Sequence, residues 1–324
     1  MAHQLEIRED GTAAMFYCGE VPWHGLGTKL DNPPTVEEAI RAAGLDWTVE
    51  RKELVLADDT TKKAPAVANV RSTDGRILGV VGPKYRVYQN IDAFKWFQPF
   101  IDSGEVELHT AGSLRDGAHV WVLAQVKKDP IEIVKGDEVL QFILLTNAHN
   151  GTAGIRPGFT GIRAVCANTV AAALTSGESK ILTVRHTERA GEAMDSVRDA
   201  MNIGRRRFEA TTEGMKQMAR RGVTVESLKQ YVHTVFEPKL TLDTEEARKK
   251  LDRLTGRVIP LFEKGRGNDL PGVKGTVWAA YNAVTELLTW ERGHSNDSRL
   301  QNLWLGDAAN LAQNAYTEAL KLAA

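Results

Sequence analysis

A change of period near Thr187 constrains the fold of this chain more than any other feature. Before it, apolar residues come in short β-branched or aromatic runs cut by turn residues; after it, they recur at the spacing of amphipathic helices. The strand-like runs are Glu53–Ala57, Ala66–Arg71, Ile77–Val81, Val120–Lys127, Val139–Thr146, Gly161–Ala167 and Ile181–Arg185. Ser72-Thr73-Asp74-Gly75, Asp116-Gly117, Lys135-Gly136-Asp137 and His149-Asn150-Gly151 separate several of them. The tight Ser72–Gly75 connection suits a hairpin, so antiparallel pairing is expected rather than parallel βαβ winding. The run from Val120 to Val126 is almost wholly apolar and reads as a central strand.

Two helices are expected inside this region. Ile91, Phe94, Phe97 and Ile101 share a helical face, with Asn90 as cap and Pro99 as a limit or kink. A second helix is expected from Asn168 or Thr169 through the Ala-rich stretch to Ser176-Gly177. Beyond Thr187, a long helix should run to about Arg221 and stop at Gly222. Thr224 should open a helix ending before Pro238, and Asp243-Thr244-Glu245-Glu246 one ending near Gly265, with Pro260 as a kink. Residues 266–275 read as a loop, and helices over about 276–292 and 307–323 close the chain. The expected class is α+β: an antiparallel β-rich core domain with packed helices over 1–187, then a helical region over 188–324.

Composition limits the function classes. With 41 basic and 42 acidic residues the net charge is −1, which excludes a strongly basic nucleic-acid coat but leaves room for a local patch. Residues 1–40 hold two basic against seven acidic side chains, whereas 185–221 hold nine against six, with Arg205-Arg206-Arg207 and Arg220-Arg221 as clusters. No apolar run reaches the roughly 18 residues that span a bilayer. His3 to Asp10 lacks the basic start and apolar core of a leader. Two cysteines, Cys18 and Cys166, suit a reducing compartment, so a cytoplasmic protein without membrane partners is expected.

Four local clusters carry candidate chemistry. Pro22-Trp23-His24-Gly25-Leu26-Gly27 is either a loop plugged by Trp23 or a contact surface; Cys18 and His24 are too few for a zinc site. Pro83-Lys84-Tyr85-Arg86-Val87-Tyr88-Gln89-Asn90 interleaves cations with aromatics, a pattern that suits single-stranded nucleic acid, and equally a strand whose tyrosines enter the core. The glycine-rich stretch from Asn147 through Arg156 to Arg163 and Thr169 could present amides and arginine forks to an anion, although it is not a P-loop. Cys166, with His149 or His186 near in chemistry, invites a nucleophile reading, but it sits between Val165 and Ala167 as a buried thiol would. Thr183-Val184-Arg185-His186-Thr187 could bind phosphate, or could simply cap a helix.

Trp23–Gly27, Val81-Gly82 with Tyr85, Asn147–Gly151, Arg163–Thr169 and Arg185-His186-Thr187 together resemble the signposts of the phage/plasmid-like protein family, itself classed as a domain of unknown function. The resemblance implies a mobile-element protein and supplies no catalytic residues. More remotely, the element order is similar to that of single-strand annealing proteins, which form rings or filaments on DNA; this is an architectural analogy. The expected function is therefore binding of single-stranded DNA with annealing or protection, by an oligomer, with neither cofactor nor metal nor chemical turnover. Lys84, Arg86, Arg156, Arg163, Arg185 and His186 would meet phosphates, and Tyr85 or Tyr88 would meet bases. The alternatives are an interaction protein that inhibits a host defence complex, and a cysteine-dependent enzyme built on Cys166.

Overall fold

A computed structural model describes residues 5–8, 10–19, 26–128, 130–163, 168–170, 183–237, 244–291 and 307–324. The fold is α+β, with sheets in the N-terminal half and helices in the C-terminal half. The chain divides into two compact units that it visits in turn. One comprises Met1–Lys128, Phe142–Gly158 and Ile181–Asn202; the other comprises Asp129–Gln141, Phe159–Lys180 and Ile203–Ala324.

The strands are β1 (Met15–Cys18), β2 (Thr28–Leu30), β3 (Val49–Val55), β4 (Lys63–Arg71), β5 (Ile77–Val81), β6 (Val106–Leu114), β7 (His119–Val126), β8 (Ile131–Val134), β9 (Asp137–Ala148), β10 (Arg156–Arg163) and β11 (Asn168–Val170). One sheet has the order β11-β10-β9-β7-β6-β1-β2 with β8 beside β9, and the other has the order β3-β4-β5. As the turn residues predict, β4 and β5 form an antiparallel hairpin over Ser72–Gly75, where Gly75 takes φ 70°. Strand β7 is central, pairing antiparallel with β6 and β9, and Val120, Val122 and Ala124 are buried. β1 and β2 pair in parallel.

In the first unit α1 (Val36–Ala42) opens with a capping box between Thr35 and Glu38. The aromatic segment folds as two short helices, α2 (Asn90–Lys95) and α3 (Gln98–Asp102), with Pro99 in the first turn of the second. Asn90 is not the cap expected of it. It is the first helical residue and wholly buried, and its amide is committed elsewhere. Gln89 precedes it and clasps both backbone groups of Val49, accepting from its N at 2.9 Å and donating to its O at 3.0 Å.

The helix expected from Asn168 is overturned at its start. Asn168–Val170 is β11, antiparallel to Gly161–Arg163. Asn168, Thr169 and Val170 are poor helix formers, and ladder bonds to a neighbouring strand outweigh what propensity they have. The rest of that segment, 171–177, lies outside the described residues, as do Trp23, His24 and Cys166.

The helices after Thr187 follow the cap residues. Helix α4 spans Ala190–Arg220, and α5 (Val225–Phe236) and α6 (Glu245–Lys264) are capped by the hydroxyls of Thr224 and Thr244. Helix α7 (Val277–Glu286) is buried along its whole length and continues as a π-helical segment, Leu287–Glu291; α8 spans Asp307–Ala323. In the second unit Trp278 Nε1 donates to Asp137 Oδ2 at 2.7 Å, and Tyr231 donates to Ala315 O at 2.9 Å. Among the described residues no helix is long and apolar enough to cross a membrane.

Candidate functional site

Three stretches that are distant in sequence meet in the first unit. Ile155 and Val184 exchange two backbone hydrogen bonds of 2.9 Å, which hold the segment Arg185-His186-Thr187 in place. Gly154 permits this approach, since a Cβ there would lie 2.5 Å from Val184 O. The loop after β5 then docks onto it. Arg86 N donates to His186 O at 3.0 Å, and His186 Nδ1 donates to Arg86 O at 3.1 Å. The Tyr85 ring stacks on the His186 imidazole, with centroids 4.4 Å apart and planes 18° apart. The Tyr85 hydroxyl donates to Ala148 O at 2.9 Å, tying the loop to the end of β9, and burial pushes its pKa well up.

Around the end of β9 lies a buried polar cluster. His149 is wholly buried, and its Nε2 meets Asn90 Oδ1 at 2.9 Å. Asn90 Nδ2 donates to Leu45 O at 3.1 Å, which orients the amide and makes Oδ1 the acceptor. His149 therefore carries its proton on Nε2. Its carbonyl accepts from Asn69 Nδ2 at 2.6 Å, and Trp47 meets its ring edge-on at 5.7 Å. Asn147 Nδ2 donates to Tyr88 O at 2.8 Å.

His119 faces Asn150 Nδ2 at 3.1 Å through its Nε2. Asn150 Oδ1 is already taken by Thr152 N and Thr152 Oγ1, so the His119 proton sits on Nδ1. By the same reasoning, the carbonyl of Arg86 fixes the His186 proton on Nδ1. Burial lowers the pKa of all three rings: to about 3 for His149, to about 4 for His119, and below the usual imidazole value for His186. Neighbouring cations add to this for His119, from Arg115 and Arg156, and the other two histidines add to it for His149.

The cations expected to meet phosphate divide into groups. Lys84 and Arg185 are exposed, and Arg86 is half-buried, with one guanidinium nitrogen 2.7 Å from Glu188. The Arg86–His186 contact lays the two segments that carry these three side by side. Arg156 is half-buried beside His119, and its buried Nε has no hydrogen-bond partner among the described residues. Arg163 ends β10 in the second unit, and its side chain lies outside the described set. Tyr88 takes the core alternative: it is 8% exposed and its hydroxyl donates to Asp92 O, so its ring is not available to a base. The segment Pro83–Gln89 is irregular rather than a strand, so strict alternation does not set its side chains.

An open cleft of about 580 Å³ borders this place. It is lined by Arg86, Tyr88, Lys95 and Trp96 on one side and by Thr187, Glu188, Gly191 and Asp195 on the other. Cys18 is a buried thiol whose pKa burial raises to about 11, the reverse of a nucleophile. Among the described residues no group of three or more His, Cys, Asp or Glu side chains is arranged to hold a metal ion.

Residues 77–307 match the family described as a domain of unknown function, DUF932, over more than two thirds of the chain. The chain belongs to this family. The DUF932 match starts at the first residue of β5, so it includes Tyr85, Arg86, His119, His149 and His186 but leaves Trp47, Asn69 and Arg71 outside it. No curated protein and no solved structure matches the chain.

Asn69 and His119 were not among the residues that sequence patterns single out, whereas Asn147 stood at the start of a candidate stretch. Asn69 did carry a signal, being an amide inside an otherwise apolar strand run, where burial requires a hydrogen-bond partner.

Proposed function

We propose that this protein binds single-stranded DNA at the surface where Lys84–Arg86 lies against Arg185–His186, and that it promotes annealing or protection without chemical turnover. The observation that carries the reading is the pair of hydrogen bonds between Arg86 and His186, one from the Arg86 amide and one from the His186 imidazole, which lays side by side two cation-bearing segments about one hundred residues apart. Lys84 and Arg185 are exposed and make no ion pair among the described residues. The Arg86–Glu188 pair is solvent-exposed and is worth little in water, so a phosphate can compete for the guanidinium. Tyr85 and His186 are already stacked on each other, so the support is for phosphate contacts more than for base stacking.

The resemblance to phage/plasmid-like proteins supports a mobile-element setting, in which single strands arise during replication and recombination. Oligomerisation along a strand and a cytoplasmic location belong to the same proposal. The test is fluorescence anisotropy with a labelled oligonucleotide across a salt series. Binding at low salt that weakens steeply with added salt supports the reading; no binding at low salt, or binding without a salt slope, overturns it.

A further inference from the structure

We propose that His119, His149 and His186 form an acid-sensitive latch that pins the loop Pro83–Gln89 and the segment Arg185–Thr187 to the end of β9, and that releases both when the rings are protonated. Each ring holds a hydrogen bond that fixes one neutral tautomer. His149 donates from Nε2 to Asn90, His186 donates from Nδ1 to Arg86 O, and His119 accepts at Nε2 from Asn150. The second nitrogen of each ring is buried and meets no partner among the described residues. Protonating His149 or His186 would put an unsatisfied N–H⁺ into the interior, and protonating His119 would set two donors against each other.

Among the described residues the surroundings offer no free counter-charge. His119 faces Arg115 and Arg156, and His149 faces the other two histidines. Behind Trp47, Arg71 lies 5.1 Å from the indole and is neutralised by Glu6 and Asp74. Around His186 stand Tyr85, Arg86 and Arg185, and the nearby carboxylate, Glu188, is paired with Arg86. On α2, the Asp92 carboxylate accepts from Gln89 N and does not turn to the rings. The contacts that would break are the Tyr85–His186 stack, the Arg86–His186 exchange and the Asn90–His149 bond.

Hydrogen exchange followed by mass spectrometry tests this on the full chain. A ring held neutral when closed, and titrating at the ordinary value of about 6.5 when open, should raise the opening constant about 25-fold between pH 7 and pH 5. After correction for intrinsic exchange rates, peptides covering 83–90 and 183–190 should lose at least that much protection, and β6 should not. His149→Gln with His186→Asn keeps both donors but cannot titrate, and should abolish most of the pH dependence. Protection that does not change with pH, or the same loss in the double variant, overturns the latch. Should the double variant not fold, NMR titration of the wild-type imidazole C–H signals decides. Values below 5 for His149 and His119 support the latch, and either one titrating near 6.5 in the folded protein contradicts it.

Discussion

Glu6 and Arg71 form a buried ion pair, with Arg71 5% and Glu6 8% exposed. Arg71 also donates to Asp116 O at 3.0 Å and reaches Asp74 at 3.2 Å, while the other Glu6 oxygen accepts from Ser113 at 2.7 Å. One pair thus joins the N-terminal segment, the β4–β5 hairpin, β6 and the β6–β7 turn. Removing one partner strands a buried charge. Arg71→Met should cost about 3–5 kcal/mol in urea unfolding at pH 7. A loss under about 1 kcal/mol, the range of an exposed pair, would show that Glu6 does not depend on it.

Asn90 is the hub of the polar cluster, since it donates to Leu45 O and accepts from His149. Asn90→Ala leaves a buried carbonyl and a buried imidazole N–H unpaired. Each such group costs about 1–3 kcal/mol, so the variant should melt well below the parent in a thermal scan. Unchanged melting would mean that the cluster is not held as described.

Gly154→Ala tests the close approach behind His186. The new Cβ would sit 2.5 Å from Val184 O and 2.8 Å from Thr183 Cγ2, so backbone must move. A cost of about 1–3 kcal/mol is expected for such overpacking. Exchange of the Ile155 and Val184 amides should rise more than that of β7. Equal changes everywhere would argue that the strain is not local.

Stability should fall on mild acidification. The folded pKa values of His149 and His119, about 3 and about 4, lie below the unfolded value of about 6.5. The unfolded chain therefore binds more protons, and the stabilisation is complete above pH 6.5. It is lost as pH falls from 6.5 toward 4 and then 3, at up to about 1.4 kcal/mol per pH unit for each ring. Urea midpoints at pH 7, 6 and 5 should decline in that order. A midpoint that is flat or rising over this range would contradict it.

Much of the fold was legible because its signals are local. Thr224 and Thr244 cap helices by hydroxyl bonds one turn long, and Ser72–Gly75 needs only a tight turn. Strand β6 was hidden, because Thr110-Ala111-Gly112-Ser113 breaks any apolar run across it. Gly112 is required there because a Cβ would lie 2.8 Å from Ala14 O, just before the neighbouring strand β1. Short β1 and β2 gain their pairing from partners that no local pattern reveals. In the site, the Tyr85–Arg86 and Arg185–His186 motifs were each visible, but their contact joins residues 100 apart. The Asn90–His149 bond, across 59 residues, was invisible for the same reason, and a helix-cap reading of Asn90 stood in its place.

Lys84→Ala with Arg185→Ala most directly tests whether the cations beside the Arg86–His186 contact bind single-stranded DNA. Both side chains are exposed, so the fold should be unchanged by circular dichroism. Single-strand binding releases about 0.7 counterion per phosphate contact, so the double variant should lose about 1.4 from the slope of log K against log salt. Parent binding with that loss of slope supports the interface. A parent that binds with the same slope and affinity as the double variant would place the nucleic-acid surface elsewhere or nowhere on this chain.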